Sequence, residues 1–548
     1  MSSPSENVFR KAGVASAAVM MSRVSGLVRE GVLSRLFGAG SALDAFVVGF
    51  RIPNLTRDLF AEGALSSAFV PTFVDYLQNR DKKEAAHLAN LVATSIIVLV
   101  GAICVLGVFI SPWLVGLVTP GWVNSAPEKY QQAVVLTQIM FPFLLLVALA
   151  AQAMGILNAL NQFAVPAFSS TWFNVGSVVA GIGIGFGLGP MLGIEPIVGM
   201  AIGVVIGGAM QLAWQLPSLW KAGFRYRPAF DFSHPGLRHI YRLMGPAIIG
   251  NASVQINVLV NTMFASLIYD PVRGLDGPTA WLNYAFRFMQ LPLGLFGVAI
   301  GTATLPAIGR SAASGDIDEF RETLARSLGL VFVLTVPASV GLMILGPSIV
   351  GAIYEGVEFQ PYDTQQTAIA LSYYAIGLAG YAAVKVLAPA FYALNDSRTP
   401  MWTSLGSIAI NAVMAWLLVR QFSMGHAGLA LSTSSVALFS FLVLFFAMRT
   451  RIGGVYGRRM RSTVLKVAAG SVAMGAAIWL STKGVHMVAG HRTFASLLDL
   501  AVSIPIGLAV VYMVCRALKV EELEMAVKAF AGPLSRRLSG PGNGRAGE

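Results

Sequence analysis

Long apolar runs follow one another along this chain with little between them but turn formers and charged residues. Windows of this kind cover residues 10–36, 43–77, 86–111, 130–158, 165–188, 195–220, 237–269, 279–309, 321–348, 365–394, 400–420, 427–448, 462–481 and 494–517. Each reaches or approaches the roughly 20 residues that a helix needs to cross a bilayer. Backbone groups in hydrocarbon must be satisfied within their own segment, so the windows read as helices. The expected fold is an all-α polytopic membrane protein with about fourteen transmembrane helices.

The two halves of the pattern overlay at an offset of about 235 residues. Phe50, Arg51 and Phe60 match Phe286, Arg287 and Phe296; Pro71 and Pro112 match Pro306 and Pro347; Ala159, Leu160, Asn161 and Pro166 match Ala393, Leu394, Asn395 and Pro400. Proline and asparagine recurring at one offset across several spans mark a duplication. Six spans per half is an even number, so the two repeats enter the membrane from the same side and are parallel. The expected organisation is an amino-terminal lobe over 1–222, a carboxy-terminal lobe over 223–450, a helix pair over 451–518 and a tail over 519–548. The tail reads as a short amphipathic helix (Val520, Leu523, Val527, Phe530) followed by a disordered stretch.

Composition agrees with the pattern. Of 548 residues 55% are hydrophobic and 12% charged, with a mean hydropathy of +0.69. The net charge of +12 would suggest nucleic acid in a soluble protein, but here the cations sort by side. With the amino terminus in the cytoplasm, the inside segments hold Arg80, Lys82, Lys83, Lys221, Arg225, Arg227, Arg310, Arg449, Arg451 and many more. The outside loops hold Lys129, Arg273, Arg420, Lys483 and Arg492. That asymmetry places both termini in the cytoplasm and assigns the basic loops to topology and anionic lipid, not nucleic acid. Arg10 and Lys11 before an apolar run mimic a signal peptide, yet Arg23, Arg29 and Glu30 interrupt the run, which reads as a retained first span. Cys104 and Cys515 each lie inside an apolar run, so no disulfide framework or cysteine metal site is expected.

The segment from Asp44 to Pro71 is apolar enough for a bilayer and still carries Asp44, Arg51, Arg57, Asp58 and Glu62. At about 100° per residue, Asp44, Arg51, Asn54, Asp58 and Glu62 share one stripe of a helix. A charge at membrane depth costs roughly 2.5–3.5 kcal/mol, so such groups face a bundle interior or a watery cavity. The structural alternative is a set of internal ion pairs among Arg51, Arg57, Asp58 and Glu62. Basic residues within spans are Arg23, Arg29, Arg35, Arg51, Arg57, Arg287 and Lys385; the acids are Glu30, Asp44, Asp58 and Glu62. The excess suits an anionic ligand, and guanidinium grips phosphate oxygens bidentately. In the second half Leu293, Gly294 and Val298 stand opposite Arg57, Asp58 and Glu62, so the charge belongs mainly to the first half.

Other signals are weak. The run Gly181 to Pro190 imitates a nucleotide loop but sits inside a span, where glycines serve close helix packing. The six histidines, His87, His234, His239, His426, His486 and His491, have no metal-ligand spacing. Asp316 with Glu319 forms a helix-start capping box. Asn257, Asn261, Asn411 and Thr433 read as interhelical hydrogen bonding, a small cation site being the alternative. No catalytic residue, metal site or cofactor is expected. The rivals to a transporter are a membrane enzyme, for which the outside loops lack paired carboxylates or a metal site, and a non-transporting scaffold.

The motifs SRVSGLVRE (22–30), FGAGSALDAF (37–46), RIPNLTRDLFAEGALSSAFVP (51–71), MGPAIIG (244–250), VKVLAPAFYALNDSRTP (384–400) and HAGLALS (426–432) resemble the MurJ (MviN) lipid II flippases, a family of the multidrug/oligosaccharidyl-lipid/polysaccharide exporter superfamily. The resemblance covers almost the whole chain. It implies two six-helix lobes, a last helix pair forming a lipid-tail groove, and transfer of lipid II, an undecaprenyl pyrophosphate bearing a disaccharide pentapeptide, to the outer leaflet of the bacterial cytoplasmic membrane. It maps substrate-binding cavity arginines onto Arg23, Arg29, Arg57 and Arg287. Glu30, Asp44, Arg51, Asn54, Asp58 and Glu62 are then gating or cavity groups, with Asp44 near an outer gate. Membrane lipids and peptidoglycan synthesis enzymes are the expected partners. Export of another polyprenyl-linked oligosaccharide is the alternative. Phe286 and Gln290 stand where some members carry acids near Arg287.

Overall fold

A computed structural model describes residues 4–59, 65–454, 457–490 and 493–524. Among them there is no strand, and eleven helices are long and apolar enough to cross a membrane. The chain divides into two compact units, Met1–Ala280 with Gly356–Gln360, and Trp281–Glu355 with Pro361–Glu548.

In the first unit α1 (Pro4–Phe37), α2 (Ser41–Arg57), α3 (Ser66–Asn79) and α4 (Lys82–Val118) are followed by α5 (Pro120–Ser125), α6 (Pro127–Met140), α7 (Pro142–Ala159) and α8 (Ala164–Ile182). Then come α9 (Gly189–Leu192), α10 (Pro196–Ala213), α11 (Leu216–Lys221) and α12 (Pro235–Ala265). The helix α13 (Pro278–Pro292) begins in the first unit and continues into the second. The second unit adds α14 (Ala299–Ser314), α15 (Ile317–Tyr354), α16 (Pro361–Ala393), α17 (Arg398–Trp416), α18 (Gly425–Arg451), α19 (Gly457–Ala489) and α20 (Thr493–Ala517). The expected spans 10–36, 43–77 and 237–269 correspond to α1, α2 with α3, and α12. They fall outside the eleven, and α1 and α2 carry the charged residues of interest.

Local chemistry sets the boundaries. Asp81 accepts hydrogen bonds from Lys83 N and Glu84 N (both 2.8 Å) at the start of α4, and Asp316 accepts from Glu319 N (2.9 Å) at the start of α15. These side chains satisfy amide groups that an unbroken ladder leaves open. Proline opens α6 and α16 at Pro127 and Pro361, where its missing N–H costs nothing. After α7 and α16 the chain turns through Asn161 (φ 59°) and Asn395 (φ 56°). In each turn a later amide closes back, Gln162 N to Leu157 O (2.8 Å) and Asp396 N to Phe391 O (2.9 Å). Asparagine tolerates this left-handed backbone better than most residues.

These devices recur at the repeat offset, and so do wider helical turns of the π type. One such turn covers Gly183–Leu188 and its counterpart covers Leu417–Gln421; another covers Leu293–Val298, matched by the π-type backbone of Asp58 and Leu59 after α2. Both halves therefore have the same backbone plan, as the duplicated prolines and asparagines implied.

Each unit has its own core. In the first, Phe69, Phe73 and Tyr76 of α3 pack with Leu88 and Val92 of α4, Leu157 of α7 and Leu237 of α12. In the second, Phe320, Leu324 and Leu328 of α15 meet Ala383, Leu387 and Phe391 of α16 and Leu444 and Met448 of α18. A smaller cluster joins Val333, Val467, Cys515 and Val520. Val520 is buried and Leu523 packs against this cluster, while Val527 and Phe530 of the expected tail helix lie outside the described residues.

Candidate functional site

The charged stripe on α2 does not close into one network. Asp44, in the first turn of α2, is fully buried at 0% exposure beside Lys129, itself 3% exposed. The Lys129 ammonium donates to Asp44 Oδ2 (2.7 Å), to Asp276 Oδ1 (2.8 Å) and to Leu275 O (2.9 Å), and it lies 4.4 Å from the Trp122 ring centre. Asp44 also accepts from Gly277 N (2.9 Å) and Ala280 N (2.7 Å), the start of α13. Gly277 has no side chain with which to cap α13, so the carboxylate from α2 takes that place. Fully bonded, the pair meets the condition under which buried charges are tolerated. Lys129 therefore does not act as a loop cation, contrary to the sequence reading. It lies in the first turn of α6, just after Pro127 and among polar residues, which made it look like part of the loop.

Further along α2, Arg51 donates to the Thr262 hydroxyl of α12. Arg57 sends Nε (3.1 Å) and Nη2 (2.8 Å) to Oδ1 of Asp58, whose Oδ2 accepts from Gln255 at 3.5 Å. Asn54 is half-buried. On α1, Arg29 pairs with Glu30 (2.7 Å) and its guanidinium lies 5.2 Å from the Phe173 ring centre and 5.9 Å from that of Phe50. Glu30 is buried, and Arg29 Nε is buried with no hydrogen-bond partner among the described residues. Arg23 is exposed. Glu62 lies outside the described residues, so its place on the stripe is not described. Two ion pairs thus form between neighbours in sequence, Arg29 with Glu30 and Arg57 with Asp58, of which the second belongs to the set named as the structural alternative. Arg29 keeps guanidinium N–H groups beyond its bond to Glu30, in a form suited to an anion's oxygens.

In the second unit Arg287 is half-buried on α13, and the adjacent Phe286 ring meets Tyr374 at 5.3 Å. The acids of the interior are more numerous than the sequence reading allowed. Asp363, in the first turn of α16, is buried and accepts from Trp281 Nε1 (3.1 Å). Asp499, on α20, is buried and accepts from the Ser348 and Ser503 hydroxyls, with His486 Nε2 at 3.8 Å. Both were missed because they stand near span ends, where a carboxylate normally reaches water. Asn411 accepts from the Ser432 hydroxyl (2.8 Å), the interhelical bond expected of it. Among the described residues no three metal-ligating side chains gather.

One apolar cavity of about 480 Å³ lies within the second unit, between α15, α19 and α20, and is lined by Val333, Pro337, Met474, Ile478, Gly507 and Val511. Gly507 matters there, because a Cβ at this position would come within 2.7 Å of Ile478.

Membrane-length helices in two repeats, with guanidinium groups along the charged helices of the first, define a polytopic helical membrane protein. A solved structure titled lipid II flippase MurJ, inward closed conformation, matches over 92% of this chain and 99% of its own at a TM-score of 0.75 and 25% identity. A multidrug resistance MATE family transporter in an inward-facing conformation shares the fold at a TM-score of 0.66 and 15% identity, over 81% of this chain and 98% of its own. The probable lipid II flippase MurJ of Vibrio cholerae is 36% identical over 87% of this chain and 89% of its own length. The lipid II flippase MurJ of Burkholderia cenocepacia is 33% identical over 82% and 85%. The family model described as lipid II flippase MurJ matches residues 33–497. This chain belongs to the lipid II flippase MurJ family.

Proposed function

We propose that this protein transfers lipid II from the inner to the outer leaflet of the bacterial cytoplasmic membrane, as a transporter and not an enzyme. The observation that carries the reading is a family member whose charged helices keep Arg29, Arg51 and Arg57 in one unit and Arg287 in the other. In this reading Arg23, Arg29, Arg57 and Arg287 replace water around the pyrophosphate, which guanidinium suits because it stays charged when desolvated. Glu30 and Asp58 hold their arginine neighbours until the anion arrives; Arg51, Asn54 and Glu62 complete the polar face. The lobes over 1–222 and 223–450 expose the site to one side at a time. The pair over 451–518, whose helices line the apolar cavity described above, keeps the prenyl tail in hydrocarbon.

The test is replacement. In cells depleted of their own lipid II flippase, this protein should restore growth and clear precursor from the inner leaflet. Growth arrest with precursor still trapped, from a chain that reaches the membrane, would overturn the proposal.

Both termini are proposed to be cytoplasmic. Cysteines at Asn79 or Ser314 should then be shielded from an impermeant outside reagent, and cysteines at Ser125 or Val272 labelled; all four positions are exposed. Val272 is preferable to Gly277, which is buried with φ 101°.

A further inference from the structure

A second apolar cavity, of about 240 Å³, lies wholly within the first unit between α4, α7 and α10 with α11. Its walls are Ala89, Ala93 and Ile97 of α4, Ala153 and Ile156 of α7, and Leu216. Its polar wall side chains are engaged elsewhere, Gln152 donating to Ala89 O at 2.7 Å and Asn90 accepting from Arg227 N at 3.1 Å. Water has little to bind there, and hydrocarbon is the suitable occupant. Ile97 is exposed, as are Val98, Leu99, Val105 and Leu106 further along α4, so the cavity opens along an apolar face that suits lipid.

Its mouth differs from its walls. The segment Phe224 to Ala229 is strapped across α4 by Arg227 N to Asn90 Oδ1 (3.1 Å), Ala229 N to Thr94 Oγ1 (3.1 Å) and the Tyr226 hydroxyl to that of Thr94 (3.2 Å). Trp220, Phe224, Arg225 and Tyr226 line the cavity at this end, and Lys82 Nζ lies 5.9 Å from the Phe224 ring centre. Lys82, Lys221, Arg225 and Arg227 are exposed, and none makes an ion pair with a described residue. Aromatic rings with cations at the end of a span are the mark of the headgroup region.

We propose that this cavity binds one anionic phospholipid of the leaflet on its own side, with an acyl chain between α4 and α7 and its phosphate among Lys82, Lys221, Arg225 and Arg227. The four cations supply the preference for negative charge, and the narrow apolar trough supplies retention of the chain. The site is separate from the arginines of α1 and α2, and its occupant is a resident of the membrane, not the transported molecule.

The experiment uses the purified full-length protein, exchanged into detergent with equal amounts of phosphatidylglycerol and phosphatidylcholine, with retained lipid read by native mass spectrometry. The wild type should keep one phosphatidylglycerol in preference to phosphatidylcholine. Lys82→Gln with Arg225→Gln should lower that preference roughly tenfold, given the attraction of each cation near an anionic surface. Ala93→Phe, which fills the trough and leaves the cations, should lower retention of both lipids. In the wild type, phosphatidylglycerol carrying a photoreactive acyl chain should label peptides within 86–97 or 212–226. Equal retention of the two lipids by the wild type, or labelling confined to other peptides, would overturn the proposal even if a variant failed to fold.

Discussion

At matched places, just after Pro127 in the first unit and Pro361 in the second, the chain carries Lys129 and Asp363. Both side chains are buried. The lysine closes on carboxylates of Asp44 and Asp276, whereas the aspartate accepts from the neutral indole of Trp281. Duplicated backbone can therefore carry opposite charges, provided that each unit supplies its own partner. The same holds along α2 and α13. Arg51 and Arg287 occupy equivalent positions, but Arg57 and Asp58 correspond to Leu293 and Gly294, so along this pair of repeated helices the charge is concentrated on the first.

The largest effect should follow from the arginines. Arg57→Ala and Arg287→Ala should each abolish complementation at matched membrane expression, and lysine at either place should not restore it in full because it lacks the paired N–H geometry. Near-normal growth of Arg57→Ala would break the contrast, since the charge that α2 carries there and its counterpart lacks would then be dispensable.

Much of this was legible beforehand. Long apolar windows gave the helices, and Pro71 with Pro306, Pro112 with Pro347 and Asn161 with Asn395 gave the repeat, because local backbone chemistry is written in local residues. The buried pairs were less legible. Asp44 stood out, yet its partner Lys129 looked like a loop residue, and Asp363 and Asp499 looked like ordinary span ends. Partner choice is set by packing between helices distant in sequence, which hydropathy does not encode.

Stability sharpens the comparison next. Lys129→Met removes one member of a buried ion pair and should cost roughly 3–5 kcal/mol, while Asp363→Asn, which keeps an acceptor for the indole, should cost about 1 kcal/mol. Thermal unfolding of the purified variants measures both. A smaller loss for Lys129→Met than for Asp363→Asn would break the contrast between the buried ion pair of Lys129 and the indole-bonded Asp363.

Where backbone alone is at stake the two units should respond alike. Asn161→Val and Asn395→Val both force a branched residue into left-handed backbone and should each cost on the order of 1 kcal/mol, read as nearly equal shifts in unfolding midpoint.

The smallest effect concerns acid. Beside Asn395 stands Asp396, whose counterpart is Gln162. The Thr399 amide and hydroxyl, together with Arg398 N–H and the Arg451 guanidinium, hold the Asp396 carboxyl below the ordinary aspartate value of 3.8. A depressed value favours the folded state above that pH and loses its contribution as pH falls through the folded value. Asp396→Asn should therefore flatten a slight acid sensitivity, measurable as a midpoint difference between neutral and strongly acidic buffer. Gln162→Asn should leave the acid response unchanged.

The paired wide turns also alter how a helix in this protein is to be read. An α-helix advances about 100° per residue, and a turn closed by i to i+5 bonds takes one residue more than a normal turn. Positions beyond it are out of phase with those before it. Arg287 precedes the turn at Leu293–Val298, and everything from Ala299 onward follows it, so a single helical wheel drawn through 278–314 assigns the second stretch to the wrong azimuth. The same discontinuity begins at Asp58, which ends the range over which the α2 stripe keeps its angle. Each helix bearing such a turn behaves as two phase domains, and deleting one residue from the turn would return it to an ordinary α-turn with the later stretch kept at its azimuth, whereas the same deletion elsewhere in the helix would rotate that stretch by about 100°.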